Sequence, residues 1–154
     1  MTSPLLRISN LTTHLGDAAA PVRAVDGLDL EIHPGETFAL LGESGCGKSM
    51  TALSILRLLP PAGRIVAGAV HLNGSDLLAL PENAMRKERG GRMGMIFQEP
   101  QSSLNPVLTV GRQIAEVVRL HDPEARGRVA GRVVELLRSV GIPDPARRAE
   151  EYPH

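Results

Sequence analysis

Apolar and polar positions change rhythm along the 154 residues. Near the start they alternate. Leu6, Ile8 and Leu11 in "LLRISNL" fall at strand-like spacing. Leu28, Leu30 and Ile32 alternate with Asp29 and Glu31 in "GLDLEI", which predicts a strand with one wet face. "GDAAAPVR" (16–23) between them reads as a loop or hairpin connection. His33-Pro34-Gly35-Glu36 then places Pro at i+1 and Gly at i+2, as a type II turn requires. "TFALLG" (37–42) and "RMGMIFQ" (92–98) are short continuous apolar runs, the pattern of strands covered on both faces. "IVAGAVHL" (65–72) is a further strand, closed by the turn signal Asn73-Gly74.

Helical spacing alternates with these runs. Met50, Leu53, Leu56 and Leu59 predict a helix over 48–59, stopped by Pro60-Pro61. "PENAMRKER" (81–89) reads as a short polar helix and "EPQSSLNP" as a loop. Beyond it the chain is helical. Val110, Ile114, Val117 and Val118 form one stripe of "TVGRQIAEVVRLH". Residues 122–141 read as one helix, with Asp122 as N-cap, Pro123 at N1 and Gly141 at C′. Its stripe is Val129, Val133, Leu136, Leu137 and Val140, and both stripes suit core packing better than a ligand groove. Asp144-Pro145 opens a third helix. The first two thirds therefore read as β and α/β and the last third as a helical part, with no internal repeat or low-complexity segment.

Composition narrows the function. Seventeen basic residues balance seventeen acidic ones, so charge gives no case for nucleic acid or an anionic membrane surface. Aromatics at 2% leave little to stack bases on. The basic residues are almost all Arg, with Lys only at Lys48 and Lys87, a bias of coding in a GC-rich genome. Arg126, Arg128 and Arg132 read as a solvated helix face. The single cysteine, Cys46, excludes an internal disulfide and a multi-cysteine metal site, and fits a reducing cytoplasm. The start has no signal-peptide pattern, and no apolar stretch approaches the roughly 18 residues that span a bilayer.

The chemistry concentrates in "GESGCGKSM" (42–50). Gly42 through Ser49 matches G-x-x-x-x-G-K-[ST], with a buried-strand pattern before it and a helix pattern after it. Gly42, Gly45 and Gly47 let the backbone turn so that successive N–H groups, those of Glu43, Ser44, Cys46 and Met50 among them, face phosphate oxygens. The helix N-terminus adds partial positive charge. Lys48 reaches the β- and γ-phosphates, and the Ser49 hydroxyl suits Mg²⁺. Cys46 holds a variable position of the loop and is given no catalytic role.

The loop alone leaves kinases, GTPases, helicases and transport ATPases open. "AVDGLDLEIHPGETFALLGESGCGKSMTALSILRLLP" resembles the opening of the ATP-binding subunits of ABC transporters. "MIFQEPQSSLNPVLTVGRQIAE" is similar to their Gln-loop segment in the oligopeptide/dipeptide (nickel) importer group, and "VVELLRSVGIPDPARRAEEYPH" to the helices that lead into the signature motif. The resemblance covers essentially the whole chain. It implies an α/β fold: a P-loop NTPase (RecA-like) core, here residues 37–98, with an N-terminal antiparallel β part over 1–36. The Gln-loop and the start of a helical subdomain occupy 99–154. It implies ATP and Mg²⁺ as cofactors. It gives Gln98 contact with Mg²⁺ or the attacking water, chemistry that suits an amide able both to accept and to donate. Residues 99–105 resemble the surface that meets the membrane subunits. A second ATP-binding subunit in a head-to-tail dimer is implied, with an extracytoplasmic solute-binding protein acting indirectly and no nucleic acid. The implied location is peripheral, on the cytoplasmic face of the inner membrane.

Two departures stand out. The family's adenine-stacking aromatic falls in "TTHLG", so Leu15 takes the position, with His14 beside it; Leu packs on a base without a π face. And nothing after Tyr152-Pro153-His154 supplies the signature loop, the Walker B carboxylates or the switch His. The expectation is a truncated, N-terminal portion of a peptide importer's ATPase, inactive alone, with unpaired edges at 37–42 and 92–97. The alternative is an inactive nucleotide-binding module or pseudogene product with no transport role. A P-loop kinase or GTPase would need a guanine motif or lid arginines, and neither is apparent.

Overall fold

The computed structural model describes residues 3–97, 99 and 103–154. They divide into two compact units, Met1–Met85 and Arg86–His154. The first is built on a four-stranded antiparallel sheet of β1 (Leu6–Leu15), β2 (Val22–Ile32), β3 (Gly63–Leu72) and β4 (Ser75–Asp76), in the order β2-β1-β3-β4. β1 is central. It pairs Arg7 with Glu31 and Ile8 with Leu30 on one side, and Ile8 with Val70 on the other. The Arg7 Nε donates to Glu31 Oε1 across the first pair at 2.7 Å. Ile8, Leu11, Val70 and Leu72 are buried, joined in the core by Val25, Leu56, Leu77 and Met85. The Asn73-Gly74 turn joins β3 to the short β4, both residues having positive φ as a type I′ turn demands. Glu36 N donates to His33 O at 3.1 Å, with φ of +76° at Gly35, as the type II reading requires.

β1 carries a bulge at Asn10, where φ is +48° and the registers with both neighbours slip. Asp29 Oδ1 accepts from Asn10 N at 2.9 Å and holds the bulge. Gly68 crosses it on β3. A Cβ at Gly68 would stand 2.5 Å from Asn10 O and 2.6 Å from Leu11 Cα, both backbone atoms, and its φ is +97°. Only glycine fits that crossing without displacing a strand.

Helix α1 (Lys48–Ile55) is shorter than its apolar spacing predicts. It ends because Arg57 adopts φ of +53°: Leu58 N donates to Leu53 O and Arg57 N to Ser54 O, the paired bonds of a Schellman cap. The prolines at 60–61 follow this stop and do not cause it. The Arg57 guanidinium donates to Leu77 O at 3.1 Å and Leu80 O at 2.6 Å, tying the cap to the segment after β4.

One expectation is corrected. Residues 37–42 form no strand, and all of them are exposed, Leu41 to 88%. An apolar run becomes a strand only when neighbouring strands accept its amides and cover its faces. Here none does. Full burial of Phe38, Leu40 or Leu41 would be worth about 1.5–3 kcal/mol each, none of which this arrangement gains in full.

In the second unit, α2 (Glu82–Gly91), which begins in the first, breaks at Arg89 and Gly90. Of the other expected strand, 92–98, the described residues 92–97 form only an isolated bridge between Arg89 and Met93, and Ile96 is 91% exposed. α3 (Val110–His121), α4 (Val129–Ser139) and α5 (Pro145–Ala149) follow. Ala115, Val133 and Leu137 form their core, with Val110, Ile114, Val129 and Ala149 against it. Val117 and Val140, assigned to the stripes, face outward instead. The predicted helix over 122–141 is two pieces. Asp122 caps a 3₁₀ turn at Pro123–Ala125, the chain reverses at Gly127 (φ +86°), and α4 starts two residues later. Gly141 closes α4 as expected, with Ile142 N donating to Leu137 O. Arg132 is not merely solvated: its guanidinium bonds Glu135 and Asp122, which together hold its pKa above the ordinary arginine value.

Candidate functional site

The glycine loop sits immediately before α1, with Gly47 as the helix N-cap. Gly47 has φ of +93°, and a Cβ there would overlap the carbonyl oxygen of Ala24 on β2. The loop is therefore seated against the sheet by a backbone contact that leaves no room for a side chain. Gly42 is similarly confined: a Cβ would come 2.6 Å from Cys46 Sγ and 3.9 Å from Lys48 Nζ. Lys48 folds back over the loop. Its ammonium donates to Gly42 O at 2.7 Å, Glu43 O at 2.6 Å and Cys46 Sγ at 3.4 Å. Cys46 N donates to Glu43 O at 3.4 Å and narrows the turn. Glu43, Ser44, Gly45 and Cys46 are exposed, Met50 is half-buried, and Ser49 stands exposed in the first turn of α1.

α1 is held in place by hydroxyls, which the apolar spacing did not reveal. Its most buried residues are Thr51 and Ser54. Each returns its hydroxyl to a carbonyl one turn earlier, Thr51 Oγ1 to Gly47 O at 3.1 Å and Ser54 Oγ to Met50 O at 2.6 Å. Ser54 Oγ also meets Thr13 Oγ1 of β1 at 2.8 Å, both side chains fully enclosed. A buried polar pair is tolerated because each partner satisfies the other. Helix, sheet and loop are thus joined at two points, Thr13–Ser54 and Ala24–Gly47.

The donor set fits a polyphosphate. It comprises an ammonium, exposed loop residues 43–46 and a helix N-terminus, groups of the kind that take anions, and the exposed Ser49 hydroxyl is chemically suited to a hard cation such as Mg²⁺. Leu15, the candidate adenine contact, ends β1 between Val22 and Gly63. Its Cδ2 lies 3.1 Å from where a Gly63 Cβ would be, so part of its apolar surface is spent on β3.

Gln98 lies outside the described residues, as do 100–102. Near them, sequence reading missed Gln113. Its Oε1 accepts from Asn105 N at 2.8 Å, and its Nε2 donates to Asn105 O and Leu108 O, each at 3.0 Å. This side chain fixes the end of the 99–105 segment onto α3. The only signal for it was a polar residue one turn into an apolar stripe. Among the described residues no helix is long and apolar enough to cross a membrane.

The glycine loop ahead of α1 has the sequence pattern of phosphate-binding loops. Residues 25–154 match the ABC transporter family, and the chain belongs to it. A putative peptide import ATP-binding protein of Brucella ovis is 50% identical over 98% of this chain and 46% of its own length. The dipeptide transport ATP-binding protein of Escherichia coli is 43% identical over 97% of this chain and 46% of its own. The chain thus spans about half the length of the curated relatives it matches. Among solved structures, a dimeric ATP-binding cassette in a post-hydrolysis state, bound to ADP and Pi, superposes with a TM-score of 0.75 at 23% identity, over 96% of this chain and 61% of that one. The structure of cbiO1 from Clostridium perfringens, part of the ABC transporter complex cbiONQ, gives 0.71 at 22% identity, over 94% of this chain and 53% of that one. These establish the cassette fold: an N-terminal portion of mixed α/β architecture with its antiparallel sheet.

Proposed function

We propose that this chain is the N-terminal part of the ATP-binding subunit of an ABC-type importer, with peptides as the solute class. The observation that carries the reading is the Lys48 ammonium gathered over a glycine loop that is seated on a sheet and capped onto a helix. The names of the relatives, peptide import and dipeptide transport, support the solute class. In this reading the amides of 43–50 and Lys48 hold the β- and γ-phosphates of ATP. Lys48 exchanges its bonds to Gly42 and Glu43 for phosphate oxygens, and those carbonyls are released to water. Ser49 and Gln98 hold Mg²⁺, which neutralises phosphate charge when bound, and Leu15 packs on the base. The 99–105 segment meets the membrane subunits, and a second ATP-binding subunit completes the site head to tail. The subunit works peripherally on the cytoplasmic face of the membrane. Alone, this chain does not turn over ATP, and phosphate release above background by the purified 154-residue chain would contradict that.

The test is titration with a fluorescent ATP analogue. The full-length subunit should bind it and its Lys48→Ala variant should not; equal affinity refutes the assignment.

A further inference from the structure

The only charged side chains in residues 42–50 are Glu43 and Lys48, so the loop read as a polyphosphate site is formally neutral. A carboxylate in such a loop calls for a reason. It does not hold the lysine: the Lys48 ammonium donates to the main-chain carbonyls of Gly42 and Glu43, at 2.7 and 2.6 Å, and makes no ion pair with the Glu43 carboxylate. Nor does it brace the turn, since the backbone does that, with Cys46 N donating to Glu43 O. Glu43 is exposed, and among the described residues its carboxylate makes no hydrogen bond and no ion pair. Residue 43 is therefore fixed in the loop through its carbonyl, while its charge stays uncompensated, one side-chain length from the atom that anchors the ammonium.

Such a charge acts on a bound anion through space. For a carboxylate and a phosphate group roughly 8 Å apart in water, each unit of ligand charge weakens binding by a factor of about 2–3. A bound cation changes that sum, because its own charge is the largest near the phosphates. Free ATP is more negative than Mg·ATP by the two charges of the metal, so the repulsion weighs on the free nucleotide more heavily, by about 4–9-fold.

We propose that Glu43 is a specificity-determining residue that discriminates against metal-free nucleotide: its carboxylate repels free ATP and so favours Mg·ATP at this loop. This rests on the nucleotide reading above. Glu43 acts through its charge and is assigned no bond to phosphate or metal.

The experiment titrates the full-length subunit and its Glu43→Gln and Glu43→Asp variants with a fluorescent ATP analogue, in excess Mg²⁺ and in EDTA. It is run at about 0.01 M and about 1 M salt, where the Debye length is about 30 Å and about 3 Å. At low salt the ratio of the two affinities should fall by about 4–9-fold in Glu43→Gln, through tighter binding of the metal-free form. At high salt the difference between the variants should vanish. Glu43→Asp keeps the charge and should keep most of the original ratio. The carboxylate is exposed and unbonded, so neither variant removes a contact that folding uses. The proposal is overturned if metal-free binding is no tighter in Glu43→Gln than in the unsubstituted subunit at low salt. An equal change in Glu43→Asp, or a change that persists at high salt, overturns it as well. So does a ratio that falls because Mg·ATP binding weakens while the metal-free form is unaffected, which would make Glu43 a metal ligand. Absence of binding by the unsubstituted subunit in both conditions would sink the nucleotide reading itself, and this discrimination with it.

Discussion

Removing the Ser54 hydroxyl tests what holds α1 to the sheet. In Ser54→Ala the Thr13 hydroxyl, fully buried, loses the partner at 2.8 Å. An orphaned buried hydroxyl costs about 1–3 kcal/mol. Thr13→Val is milder, since Ser54 keeps its 2.6 Å bond to Met50 O; only the shared bond is lost, about 0.5–1.5 kcal/mol. The double variant leaves no orphan, so its cost should fall short of the sum of the single costs by about 1 kcal/mol, within the range for residues in contact. Equilibrium urea unfolding reads each value. With a slope of about 1–3 kcal/mol/M, the Ser54→Ala midpoint should move by roughly 1 M. Additive single costs would refute the claim that the two hydroxyls satisfy each other. A milder effect at Ser54 than at Thr13 would reverse the assignment of which side chain is left stranded.

Gly68→Ala should destabilise the sheet by roughly 2–4 kcal/mol, from the positive φ and the overlap with the Asn10–Leu11 backbone, as read by thermal melting. Arg57→Ala should cost about 1.5–3 kcal/mol by losing two carbonyl contacts while keeping the left-handed strain, and Arg57→Gly should cost less because glycine accepts that conformation. The Arg148 and Arg147 guanidiniums hold the Glu151 carboxyl below the ordinary range, with Arg148 the larger cause. Its contribution is therefore complete above the ordinary glutamate range and lost as pH falls through the lowered value. Glu151→Gln should lower stability slightly at neutral pH and leave it unchanged at low pH, so the acid limb of a stability-against-pH curve flattens.

Much of the first unit was legible. Period-two spacing marked β1 and β2, Asn73-Gly74 fixed the end of β3, and the glycine loop announced itself by motif. The failures have physical reasons. The runs at 37–42 and 92–98 carry the apolarity of central strands, but apolarity records what a segment can bury, not whether neighbours are there to cover it. The packing of α1 was invisible because its inner face uses Thr51 and Ser54, whose polarity is cancelled by carbonyls of their own helix. The break at Gly127 was missed because Asp122 and Pro123 read as the cap and first turn of one helix, whereas they cap a separate 3₁₀ turn. At the site, the residue types of 42–50 were readable, whereas Ala24 and Gln113 were not. One acts through a main-chain oxygen that every residue possesses, and the other through the end of a flexible amide.

The Ala24–Gly47 contact gives the two positions opposite evolutionary freedom. Since β2 contributes only a carbonyl, almost any side chain compatible with a strand can stand at 24 without disturbing the loop. At 47 nothing larger than hydrogen is admitted. A saturation library covering both should return a flat profile at the first and a single survivor at the second, although the two residues touch.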